Sequence, residues 1–129
     1  MKKTIVLSIS MAVITLFSSC EGGTTFSKGI ENRTSETIKV KLHTIYGNID
    51  ETTINPSDTK QIFWDDQMGF FVDDSYTCTQ LIDSVEIDIT NGKILIKDIM
   101  NSDNWERTSK GGRNSKEACL FIISNDDIL

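Results

Sequence analysis

Histidine occurs once in these 129 residues and alanine twice, and no motif gathers paired metal-ligand cysteines, cradles phosphate on a glycine loop or raises a nucleophile on an elbow. Each absence removes a class of function. His43 lies in an alternating stretch beside Lys39 and Lys41, so its imidazole belongs on a wet face. A Cys-His dyad with Cys78 or Cys119 would need a free thiol and a ring turned toward it. No cofactor and no metal are therefore expected, and any catalysis would have to rest on carboxylates that spacing alone does not place. The acidic pairs Asp65-Asp66, Asp73-Asp74 and Asp126-Asp127 lack the alternating ligands, central glycine and distant glutamate of a calcium loop. They read as solvated turn charges.

Basic residues are also scarce, 13 against 19 acids. Without residues 1–19 the chain loses Lys2 and Lys3 and no acid, which takes its formal charge to −8. Such a surface repels nucleic acid. A run of about 20 apolar residues is missing as well: Thr4 to Phe17 is shorter and diluted by Ser8, Ser10 and Thr15, so no permanent membrane span is expected.

Alanine is rare where isoleucine is not. After Cys20 there are fifteen isoleucines and a single alanine, Ala118, with many threonines and aromatics. Side chains of this kind fit a pleated, half-buried sheet surface, whereas a helical domain carries more Ala and Leu. Thr37 to Thr44 alternates as a strand with Ile38, Val40 and Leu42 on one face. Strands are also expected near 26–30, 50–54 and 59–64, the last two separated by the turn Asn55-Pro56-Ser57-Asp58. Val85, Ile87 and Ile89 alternate up to Asn91-Gly92, a strong hairpin signal that would set Ile89 opposite Ile94 and Ile87 opposite Ile96. The nearly all-apolar segment 118–124 suits a central strand, and the polar stretch 101–117 before it reads as a long loop. The expected fold class is all-β, a small antiparallel β-sandwich spanning residues 26–129 as one domain.

What is present at the start is an export signal. Met1-Lys2-Lys3 is positive, residues 4–17 are uncharged and largely apolar, and Ser18-Ser19-Cys20 closes the segment with small residues before a thiol. Phe17-Ser18-Ser19-Cys20 looks like a lipobox, which makes residues 1–19 a cleavable signal peptide, Cys20 the lipidated residue and residues 20–25 a flexible tether. The implied address is the outer membrane, reached through the lipid anchor and facing either the periplasm or the cell surface, with a soluble periplasmic protein as the alternative. In an exported chain Cys78 and Cys119 are expected to form a disulfide, the alternative being two buried thiols.

Two kinds of site remain. Between Phe63 and Tyr76 large aromatics alternate with acidic pairs, so Trp64, Phe70 and Tyr76, with Trp105 farther on, are candidate ligand-binding aromatics for a glycan or a protein partner. Otherwise these rings fill the core, and Trp105 plugs the long loop onto the domain. Together with the lipobox, the motifs Ile30-Glu31-Asn32-Arg33-Thr34, Ile54-Asn55-Pro56-Ser57 and Asp83-Ser84-Val85 resemble small lipoproteins of Bacteroidota. That resemblance implies an immunoglobulin-like sandwich, and Ser84 as an O-glycosylation position. Asn32-Arg33-Thr34 also fits an N-glycosylation sequon, a chemistry not expected in that compartment. The function expected from all this is a non-catalytic binding or structural module at the cell envelope. The alternatives are a carbohydrate- or ion-dependent binding domain and a carboxylate-based hydrolase.

Overall fold

A computed structural model describes residues 22–69 and 75–129. Seven strands appear among them: β1 (Gly23–Asn32), β2 (Ile38–Thr44), β3 (Ile49–Ile54), β4 (Thr59–Met68), β5 (Ile82–Ile89), β6 (Glu106–Lys110) and β7 (Asn114–Ile123). They form a four-stranded sheet in the order β4-β1-β7-β6 and a three-stranded sheet in the order β3-β2-β5. The protein is an all-β sandwich, as its composition implies.

Period-two patterning sets the core. On β2 the residues Ile38, Val40 and Leu42 are buried, and the register aligns them with Ile89, Ile87 and Val85 of β5. Directly paired residues share a face, so these side chains line the sandwich while Lys39, Lys41 and His43 stand outside. From the other sheet Phe26 and Ile30 of β1 and Cys119, Phe121 and Ile123 of β7 complete the interior. Cys78 and Cys119, both buried, lie at disulfide distance with Cα atoms 5.7 Å apart. The bridge ties the connection between β4 and β5 to a central strand.

Four expectations are corrected. The sandwich is not wholly antiparallel, because β1 pairs with β7 in parallel from Gly23↔Asn114 to Asn32↔Ile123. Alternation specifies faces and says nothing of strand direction, so this pairing had no sequence signal. The stretch 101–117 is not one loop: β6 and the start of β7 form an antiparallel hairpin around Gly111-Gly112. Glu106–Lys110 is exposed throughout and so carries no apolar pattern. The strand also starts earlier than the tether allows, since Thr24 is fully buried and pairs with Gln67 and Ser115.

The fourth correction concerns Asn91-Gly92. The turn forms with both residues left-handed, at φ 62° and 69°, as the pair predicts. Beyond it the chain leaves β5: Ile94 N–H bonds Leu129 C=O at 2.9 Å, and Ile96 N–H bonds Asp127 C=O at 2.8 Å. Leu95 then packs against the core, and Ile94 and Ile96 are exposed. A change of partner moved every side chain to the other face, so the four-isoleucine ladder does not exist.

Candidate functional site

The expected aromatics do not converge. Tyr76 is buried against Phe26, with ring centroids 5.2 Å apart. Trp105 is buried against Phe121 at the same separation, and its indole N–H donates to Ile99 C=O at 2.8 Å. Both rings belong to the core, and Trp105 plugs the connection between β5 and β6. Phe70 and Cys20 lie outside the described residues. Of the named aromatics that are described, Trp64 alone is exposed, at 57 %.

Trp64 stands on the first strand of its sheet, where register decides its direction. It pairs with Ser27, whose neighbours Phe26 and Lys28 point inward, so the indole projects from the outer face of β4. Asp65 and Gln67 pair with Phe26 and Thr24 and therefore turn the other way, toward the edge of the second sheet. There the β2–β3 turn brings in Tyr46. Gly47, at φ 83°, permits that turn, and Gly47 N–H closes it on Thr44 C=O.

Tyr46 O–H donates to Asp65 Oδ2 at 3.3 Å, and Gln67 Nε2 donates to both Tyr46 Oη at 3.1 Å and Asp65 Oδ2 at 2.9 Å. Partial burial and then the Asp65 charge hold the Tyr46 phenol above its ordinary range, so it remains a donor through neutral pH. Between this network and β3 a cleft of about 370 Å³ opens. Its walls include Thr44, Asn48, Asp50, Glu51 and Thr52 on one side and residues 61–65 on the other. The volume falls at the small end of ligand sites, about 300–1,000 Å³. The cleft offers carboxylate acceptors, hydroxyls and amides, with an exposed indole at its lip.

A second polar centre lies inside the sandwich. Lys28 is fully buried on β1; its ammonium donates to Tyr76 Oη at 3.1 Å and to Cys78 C=O at 2.5 Å, facing the Phe63 and Tyr76 rings at 5.6 and 5.4 Å. Burial pushes Lys28 down to about 8 and, with the Glu117 charge, pushes Tyr76 up to about 12. Glu117, also buried, accepts from Arg107 Nε at 2.9 Å and Ser109 Oγ at 2.5 Å, and Arg107 donates on to Tyr76 C=O at 2.8 Å. This centre has no opening to solvent at Lys28. Its chemistry fastens the loop that carries Tyr76 and Cys78.

The remaining candidates are accounted for individually. Ser84 is exposed on the outer face of β5, opposite His43. His43 Nε2 lies 3.0 Å from Glu86 Oε2, and this hydrogen bond lowers the Glu86 carboxyl. Asn32 and Thr34 are buried, with Asn32 bonded to Thr34 and to the carbonyls of Glu36 and Ile54, so the sequon is part of the core. Asp127 caps the turn at Ser124, accepting from its N–H at 2.8 Å. Among the described residues no three His, Cys, Asp or Glu side chains are grouped to hold a metal ion.

No protein-family model, curated protein or solved structure matches the chain. The site therefore rests on its own geometry. Sequence reasoning singled out Trp64, took Asp65 for a solvated turn charge although it lies within β4, and missed Tyr46 and Gln67. The signal for Tyr46 was an aromatic in a Gly-Asn turn between two strands, a place where burial does not explain a large ring.

Proposed function

We propose that this protein is a lipid-anchored, non-catalytic binding module of the cell envelope that takes a glycan in the cleft between β3 and β4. The observation that carries the reading is the exposed Trp64 at the lip of a polar cleft, in a domain whose other described Trp is packed inside. An indole face stacks on the apolar side of a sugar ring, and Asp50, Glu51 and Asp65 accept from its hydroxyls while Gln61 and Asn48 donate. The negative charge of the domain suits neutral sugars better than anionic ones. Anchoring through Cys20 at the outer membrane is supported by the lipobox-like segment. An immunoglobulin-like type is supported by the division of seven described strands into four and three, although the parallel β1–β7 pair is its own variation.

Calorimetry of the purified protein against a panel of neutral oligosaccharides tests the reading. One class should bind, and Trp64→Ala should weaken it roughly tenfold, the worth of one aromatic contact of about 1.5 kcal/mol. Binding unaffected by Trp64→Ala, or no binding across the panel, would reject the cleft as the site.

A further inference from the structure

Strand directions sort the surface into two ends. β1 starts at Gly23 beside Met68 of β4 and Asn114 of β7, and the β2–β3 turn at residues 45–48 lies at the same end, where Tyr46 reaches Asp65 and Gln67. The Asn91-Gly92 turn and residues 124–129 lie at the other end, roughly 30 Å away along a ten-residue strand. Gly22 is wedged into the first end: its C=O accepts from Gly69 N–H at 2.8 Å, and Gly23 N–H donates to Arg113 C=O at 3.2 Å.

That end has a composition of its own. Ile45, Ile49 and Met68 are exposed at 57, 56 and 71 %. Lys110, Arg113 and Lys116 are exposed on the β6–β7 hairpin, and from Arg107 to Lys116 the sequence holds no acid, although the domain as a whole is strongly acidic. Exposed apolar side chains and a basic hairpin at one end of a sandwich suit a bilayer interface, the former entering the headgroup boundary and the latter meeting phosphate. The carboxylates at this end, Asp50 and Asp65 beside the β2–β3 turn with Asp66 and Asp83, favour a tilt that brings the basic hairpin down first.

We propose that this end of the sandwich is a membrane-docking face, with Ile45, Ile49 and Met68 in the lipid interface and Lys110 and Arg113 on anionic headgroups. The proposal rests on the Cys20 anchor proposed above. Chain length argues for the same occupant: Cys20 is two residues before Gly22, and two extended residues reach only about 7 Å. An acylated Cys20 therefore holds this face against the bilayer at a high effective concentration, where even a weak contact is occupied. The acyl chains supply affinity, and the face supplies orientation.

The test uses the mature protein extracted from membranes and reconstituted in vesicles of phosphatidylcholine and phosphatidylglycerol brominated near the glycerol. Ile45→Trp and Ile94→Trp place reporters at the two ends, each in a Trp64→Phe background; both positions are exposed, so the fold tolerates them. Bromine should quench the added emission of Ile45→Trp and leave that of Ile94→Trp unchanged. Lys110→Glu with Arg113→Glu should reduce the docked population by roughly fivefold per charge. Equal quenching at both ends, or none at either, overturns the docking face. Intact mass separates the two readings: acyl mass on Cys20 without quenching refutes the face and keeps the anchor, whereas no acyl mass refutes the anchor and the face with it.

Discussion

Lys28 gives the sharpest physical prediction, because its pH dependence has the opposite sign to that of a salt-bridged lysine. In the unfolded chain its ammonium is hydrated and has its ordinary value of 10.5; in the native protein burial pushes it down to about 8. Between those values the unfolded chain keeps a proton that the native protein has released. Stability therefore rises with pH through this window. Applying linkage to the two values gives a gain of about 2–3 kcal/mol between pH 7 and pH 10. Tyr76, raised from 10.0 to about 12, acts in the other direction: the unfolded phenol ionises first, so stability is lost as pH climbs from 10 to 12. The scan therefore ends at pH 10.

Urea unfolding without reductant, followed by Trp fluorescence at intervals from pH 7 to 10, reads the effect. For a domain of this size the gain should move the midpoint upward by roughly 1–2 M. Lys28→Met keeps the length of the side chain and removes the titrating group, so the rise should disappear whatever the variant's stability at pH 7. If Lys28→Met does not fold, the rise in the native protein alone carries the test. Parallel profiles for the two proteins, or a native midpoint that falls from pH 7 to 10, would refute the claim that a buried ammonium titrates in this core.

Two further outcomes follow from the same region. Replacing Cys78 and Cys119 together by alanine should cost about 4 kcal/mol, the chain-entropy value for a separation of 41 residues, measured by urea titration against the oxidised protein. Arg107→Met removes a cation from the buried Glu117 carboxylate and leaves Ser109 bonded to it, so it should cost about 3–5 kcal/mol at neutral pH in the same urea titration.

Faces were legible in the sequence, and partners were not. On β2 and β5 every inward position is apolar or nearly so, and period two assigns Ile38, Val40, Leu42 and Ile89 correctly. On β1 the same periodicity places Thr24, Lys28 and Asn32 inward with Phe26 and Ile30, and three polar side chains on a buried face hide the strand's true length. Each is acceptable because a distant group satisfies it: Ser115 for Thr24, Tyr76 and Cys78 for Lys28, Ile54 for Asn32. None of those pairings has a local signature. The cleft was half legible for the same reason, since Trp64 and Asp65 sit in a conspicuous run whereas Tyr46 and Gln67 meet only through the packing of one sheet edge on the other.

The buried polar centre also bears on how the proposed docking face and cleft would be held together. The connection from β4 to β5 has little apolar surface of its own in residues 75–80, yet four contacts hold it: Lys28 to the Tyr76 hydroxyl and the Cys78 carbonyl, Arg107 to the Tyr76 carbonyl, and Cys119 to the Cys78 sulfur. These contacts fix the loop to β1, β6 and β7 at once. β4 ends and β5 begins at the end of the sandwich that faces Gly22, so the clamp holds that end together just where a short tether would pull on it. If the clamp is what keeps the docking face and the cleft in one fixed relation, Lys28→Met or loss of the disulfide should blur the contrast between the Ile45→Trp and Ile94→Trp reporters while Cys20 stays acylated. A contrast that survives both changes would show that the clamp does not set that relation.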